Sequence, residues 1–142
     1  MEPSAILYPG AAMFFLTFAV IVNLGISRFR AVGRREVSVG YYRLYNEGGE
    51  PPRLRVLTRH AQNHFEVPPL FYMVLLFIYV TGHVTWLTVG LAWLYFVSRC
   101  VHSYIHLGTN NVSHRFSAYA AGGLVLGALW LTLLVSMLSS AA

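Results

Sequence analysis

The chain has 142 residues, of which 56% are apolar and 11% charged, less than half the roughly 25% charge of an ordinary soluble domain. That balance excludes a soluble domain of this size and a disordered chain. One cysteine, Cys100, excludes a disulfide framework, and the length excludes a multidomain enzyme. The formal net charge is +5, yet every basic residue is Arg and eight of the ten lie between Arg28 and Arg59, beside long apolar runs. Basic residues so placed set membrane orientation and meet lipid headgroups; no nucleic-acid partner is expected.

The first element is Ala5 to Ser27, 23 residues without a charge. About 20 apolar residues cross a bilayer as a helix, so this is the first span. It is not read as a cleavable signal, because Met1-Glu2-Pro3-Ser4 lacks a positive leader and the apolar run is too long. Gly33 to Pro52 is the one long polar stretch, rich in Gly and Pro, and reads as a surface loop with a short helical turn near Tyr41 to Tyr45. Val67 to Thr81 and Val84 to Ser98 are apolar runs of only 15 residues each. Each can cross only if its helix continues into a polar flank, Arg59 to Glu66 for the second and Arg99 to His106 for the third. Polar groups then sit at membrane depth, where they are costly, face the interior and mark function. Phe116 to Leu138, 23 residues, is the last span.

The expected fold is all-α, an integral membrane four-helix transmembrane bundle in a single domain covering 1–142. Its spans are about 5–29, 56–81, 84–107 and 115–138, with a polar loop at about 30–55. The Arg count places the first and third connections in the cytoplasm and both termini outside.

The polar flanks carry the chemistry. Arg59, Asn63 and Glu66 are spaced i, i+4, i+7, Arg99, His102 and His106 i, i+3, i+7, and Arg115 and Tyr119 i, i+4, so each set shares a helical face. Arg forks take carboxylates in bidentate fashion, Glu pairs with an ammonium, and an Arg beside a thiol favours the thiolate. That set matches a small zwitterionic thiol such as glutathione. The alternative is a structural ion-pair network in which Glu66 neutralises Arg59 or Arg99.

His60 with His64, and His102 with His106, are two further i, i+4 pairs. His64 is offset from Asn63, and His60 from Arg59, by about 100° around the helix. The four imidazoles therefore need not converge; His60 and His64 read as interfacial residues, and no metal is expected. A His-ligated metal or haem stays as a minor alternative. Cys100 reads as an inert packing thiol, and Gly123 with Gly127 as a G-x-x-x-G face for close helix approach within or between subunits.

These residues resemble the MAPEG family, the membrane-associated proteins of eicosanoid and glutathione metabolism. Arg59-x-x-x-Asn63-x-x-Glu66-x-x-Pro69 is similar to the family's glutathione-facing motif. Arg99-x-x-His102, then Leu107-Gly108, then Arg115-x-x-x-Tyr119 resembles the microsomal prostaglandin E synthase branch, here in what looks like a bacterial inner-membrane member. The resemblance covers roughly Arg53 to Leu138. It implies a homotrimer with glutathione as co-substrate in a cleft between protomers, and a lipophilic electrophile admitted from the membrane lipid. On that resemblance Arg59, Asn63 and Glu66 hold the peptide ends, Arg99 and His102 contact it from the third helix, Arg115 stabilises the thiolate, and Tyr119 lines the cleft. Arg28 or Arg30 supplies one more carboxylate contact. His106 stands where the relatives have a Tyr that contacts glutathione. A non-catalytic membrane protein of the same shape, binding lipid or a partner, is the rival reading.

Overall fold

A computed structural model describes residues 2–45 and 48–141. A 3-10 turn, Pro3–Ile6, leads into α1 (Leu7–Gly33). The following connection carries the short helix α2 (Val39–Leu44), at the place expected for a helical turn. Ser38 caps it by accepting from the Tyr41 backbone N–H at 3.1 Å, satisfying one of the donors that a helix start leaves open.

The second apolar run and its polar flank are one 29-residue stretch, Pro52–Val80, but not one smooth helix as expected. It breaks into α3 (Pro52–Glu66) and α4 (Pro68–Val80) at Val67. The cause is local: Pro68 and Pro69 offer no N–H to the preceding turn, and their rings clash with it.

Past α4 the chain reverses through Gly82, whose φ of 73° only glycine adopts at no cost. The Gly82 N–H donates to the Tyr79 carbonyl and the His83 N–H to the Ile78 carbonyl, the paired bonds of a Schellman stop. Thr85 then starts α5 (Trp86–Leu107) with a reciprocal capping box to Thr88. The final helix is α6 (Val112–Ala141), opened by Asn111, whose side-chain oxygen accepts from the His114 N–H at 3.2 Å.

Three stretches are long and apolar enough to cross a membrane: Pro3–Gly33, Pro52–Val80 and Val112–Ser140. α5 has the length, 22 residues, but its polar end lowers its apolarity. α5 lies along α6 and also meets α1 and α3, while α1 touches α3 and α4. The main core joins Ile6 and Met13 to Phe71, Val74 and Ile78 of α4, Tyr95 of α5, and Leu129 and Leu133 of α6. Phe71 stacks on Tyr95 with ring centroids 4.3 Å apart. A smaller core of Ala31, Val37 and Leu54 anchors the first connection under the end of α1. Many large apolar side chains, among them Phe14, Phe15, Phe18, Leu124 and Leu131, are exposed. Such an outward apolar surface suits hydrocarbon and not water.

An arginine-bordered cleft and a buried histidine cluster

The polar flanks do join the helices, as the short apolar runs required. Which of their faces turns inward differs from the expectation. On α3 the buried residues are Leu54, His60, Ala61 and His64. Arg59 and Glu66 are exposed and Asn63 half-buried. On α5 the inward face is Arg99, His102, Ser103 and His106. The sequence assigned the inward face of α3 to its charges, whereas the neutral imidazoles take it. Burying imidazole with a hydrogen-bond partner costs far less than burying a charged group.

The four imidazoles consequently come together, which their offset from the charged stripe had left open. His60 lies 5.0 Å from His64, 5.1 Å from His106 and 6.4 Å from His102 between ring centroids, and His102 lies 5.6 Å from His106. The offset was measured from the charged stripe, and that stripe is not the face that meets α5. Ser103 holds the cluster together: its hydroxyl is 2.9 Å from His60 Nε2 and 3.4 Å from His64 Nε2. Thr17 of α1 meets His64 Nδ1 at 3.0 Å. Nδ1 of His102 and of His106 is buried without a partner. Among the described residues no group of three or more His, Cys or Glu side chains stands in metal-holding geometry.

Arg99 is buried to 1% exposure. One of its nitrogens donates to the Asn63 carbonyl at 3.3 Å, its guanidinium lies 5.5 Å from the Tyr119 ring centroid, and its Nε has no partner. Arg115, half-buried at the start of α6, donates to Asn110 Oδ1 at 2.7 Å and meets His106 Nε2 at 3.5 Å. Because guanidinium only donates, that contact makes His106 Nε2 the acceptor. Asn110 was not singled out from the sequence. It adopts the left-handed region with φ 49°, a conformation Asn tolerates, and so turns its amide onto Arg115.

Asn63, His102, Arg115 and Tyr119, with Val112 and Phe116, line one cleft of about 240 Å³. Small-molecule sites run from about 300 Å³ upward, so this cleft by itself is smaller than such a site. Glu66 and Arg28 border a second cleft, of about 490 Å³, floored by Leu24 and Ala61. Arg28 is also tied into the first connection, bonding Glu50 Oε1 at 3.1 Å and Thr58 Oγ1 at 3.1 Å. Arg30 lies in a separate cavity with Arg34 and Arg53. Thus Asn63, Arg99, His102, His106, Arg115 and Tyr119 come together, Arg28 and Glu66 form a second group, and Arg59 and Arg30 join neither. The ion-pair alternative is not realised within the protomer. The ion pairs among the described residues are Arg28–Glu50 and Arg34–Glu36, leaving Glu66, Arg59, Arg99 and Arg115 outside any.

Gly122, and not Gly123 or Gly127, makes the close helix approach within the protomer. A Cβ built there stands 2.7 Å from Ser98 Oγ, whereas one at Gly123 or Gly127 meets nothing within 4 Å.

Among the described residues the fold is all-helical, and with its membrane-crossing stretches it is that of a membrane protein. The family model described as the MAPEG family matches residues 6–135, and the chain belongs to that family. No curated protein and no solved structure matches it.

Proposed function

We propose that the protein is a glutathione-dependent membrane transferase or peroxidase acting on a lipophilic electrophile. One observation carries this reading. Arg115 lines the cleft and Arg99 lies buried behind its Asn63 and Tyr119 walls, with no carboxylate in salt-bridge reach of either among the described residues. A cation buried without a counter-charge is expensive, and a ligand carboxylate and thiolate offset that cost. Membership of a glutathione-using family supports the same ligand.

In this reading α5 is the fourth span of a four-helix bundle, its polar end hidden against α3 and α6. Arg115 stabilises the developing thiolate, a preorganised cation in a dry cleft. Arg99 and His102 hold the peptide, Asn63 and Tyr119 orient it, and His106 sets Arg115. Arg59, Glu66 and Arg28 complete the site across a protomer boundary in a homotrimer; Arg28 is preferred to Arg30 because it shares a cleft with Glu66. The thiol loses its proton to water at the cleft mouth. The thiolate then bonds to an electron-poor carbon while the displaced electron pair leaves with the departing group or, in a conjugate addition, moves onto the substrate and is protonated by water. With a hydroperoxide it takes the terminal oxygen as the O–O bond breaks, giving an alcohol and glutathione sulfenic acid, which a second glutathione converts to disulfide and water. The first and third connections face the cytoplasm.

Calorimetric titration of detergent-purified protein with glutathione tests the reading. Saturable binding, with a thiolate absorbance appearing below the ordinary thiol range near pH 8.5, is expected. Absence of both leaves a MAPEG-shaped protein that binds lipid or a partner.

A His-ligated metal at the neighbouring imidazoles is the second reading, although no three of them stand in metal-holding geometry among the described residues. Stoichiometric metal in protein purified without chelator, or a Soret band, establishes that reading in place of the first.

A further inference from the structure

A second polar cavity lies outside the glutathione reading. It has a volume of about 150 Å³ and sits between the last turns of α1 and the first turn of α3. Arg30, Arg34, Arg53 and Ser27 line it, and the buried Ala31 and Leu54 form its apolar floor. Three arginines thus border one small cavity, all of them exposed, the Arg34 side chain to 73%. The single carboxylate on its wall, Glu36, lies 3.9 Å from Arg34. Arg30 and Arg53 have no carboxylate partner among the described residues. Arg28, two residues before Arg30, is by contrast paired with the buried Glu50. Like charges repel, though weakly where water screens them, so an anion between these arginines lowers the energy of the arrangement. Helix stability does not explain Arg53. It lies in the first turn of α3, which has no acidic residue and where the helix dipole opposes a cation.

Depth identifies the anion. Phe29 lies between Arg28 and Arg30 and is 83% exposed. An outward aromatic at the end of a crossing helix sits at the boundary of acyl chains and headgroups. Arg30 is one residue further on, at the level of lipid phosphates. A basic cavity between helices at that level, on the Arg-rich side, has the chemistry that takes phosphate headgroups.

We propose that this cavity binds the phosphate of an anionic phospholipid headgroup. Arg30 and Arg53 grip the phosphate oxygens, Arg34 adds charge from the rim, and Ser27 donates a hydroxyl. The acyl chains run down the outer surface of α1 past Phe29. The site is separate from the glutathione cleft, and its fate does not depend on that reading.

The test uses the full-length protein in three settings: phosphatidylcholine vesicles, the same vesicles containing phosphatidylglycerol, and phosphatidylcholine vesicles with added inorganic phosphate. Native mass spectrometry counts retained lipid, and tryptophan fluorescence follows thermal unfolding. Phosphatidylglycerol is expected to be retained over phosphatidylcholine and to raise Tm, with inorganic phosphate doing neither. Arg30→Gln with Arg53→Gln should weaken phosphatidylglycerol retention by about 30-fold, the product of two near-surface Arg contributions. The double variant Arg43→Gln with Arg55→Gln removes the same charge from exposed positions outside the cavity and should retain the lipid. Equal loss in both variants reduces the effect to general surface charge and overturns the proposal. A Tm rise with inorganic phosphate alone reassigns the cavity to free phosphate and overturns the lipid assignment. If Arg30→Gln with Arg53→Gln unfolds in phosphatidylcholine, Arg53→Lys replaces it; this change keeps the charge but removes the fork, and intermediate retention is expected. Retention at the wild-type level then counts against the grip described.

Discussion

At the scale of single residues, tight packing and open space make opposite predictions for two glycines. Gly122 leaves no room for a methyl group against Ser98, whose hydroxyl is committed to the Tyr95 carbonyl at 2.6 Å. Gly122→Ala should therefore destabilise by about 1–3 kcal/mol through overpacking, read as a lowered Tm in detergent. Gly90, in α5 with nothing within 4 Å, should gain up to about 1 kcal/mol on becoming Ala, from helix propensity; a fall in Tm there refutes the packing described. The site residues separate in another way. In the proposed site Glu66 holds the glutathione ammonium, so Glu66→Gln should weaken binding by about 1–3 kcal/mol. Arg115→Ala removes a contact that strengthens as thiolate forms, so it should lower turnover more than binding. Steady-state kinetics beside calorimetry distinguishes them. A matching fall in Tm, with no effect specific to glutathione, assigns both residues to structure alone. That these residues share helix faces was legible in the sequence from their spacing. The roles of Ser103, Thr17 and Asn110 were not, because a hydroxyl or amide gains its partner only when a second helix arrives.

At the scale of elements, the sequence marked the helices and the loop well, because apolar runs and Gly-Pro clusters are local signals. It did not mark the break at Val67, although Pro68 and Pro69 were on view; a run of 15 apolar residues masked their effect. Nor could it tell which face of α3 meets α5. A helix bearing both a charged and an imidazole stripe can satisfy either contact, and the tertiary partner decides. One long-range feature is the strap that ties the first connection to the helices. Glu50, 5% exposed, accepts from Arg28 and from the Thr58 hydroxyl at 2.6 Å, and Arg28 lies over the Tyr42 ring. Glu50→Ala leaves Arg28 and Thr58 without these bonds and should release the connection at a cost of about 1–3 kcal/mol. Limited trypsin digestion in detergent should then cut faster at Arg43 or Arg53 than in the wild type. Unchanged cleavage rates refute the strap. Burial, then the Glu50 charge, holds the Tyr42 phenol above its ordinary value, with Arg28 pulling the other way. The neutral phenol's contribution is fully present below about pH 10 and is lost as pH rises through the raised value. Protease resistance of the wild-type connection should therefore fall in strongly alkaline buffer, and less so in Tyr42→Phe.

At the scale of the whole molecule, α3 poses a problem that the single protomer does not solve. Arg59, Gln62 and Glu66 are exposed along a stretch that is long and apolar enough to cross the membrane. A charged side chain costs about 2.5–3.5 kcal/mol at the centre of a membrane helix and less toward its end. Glu66, beside the apolar run, is therefore the costly member of a lipid-facing stripe, while Arg59, next to the Thr58 that bonds Arg28, lies nearer the headgroups. The open glycine face of α6, Gly123 and Gly127, is a second surface shaped for close helix contact. Two different surfaces on different helices make a heterologous contact, which closes as a ring when the rotation permits. A homotrimer is the expected ring, and native mass spectrometry from detergent should show it; monomer alone removes the intersubunit site. Substitution to leucine provides the sharper test, because the two possible environments of the stripe predict opposite signs. If the stripe faced lipid, Arg59→Leu with Glu66→Leu would remove a penalty, and Tm would rise with the assembly unchanged. If it faces a neighbour's polar groups, the same change strips one side of a buried polar contact and leaves the other unsatisfied. The expected outcome is the second: trimer dissociating to monomer at detergent concentrations where the wild type stays assembled, with glutathione binding lost in step.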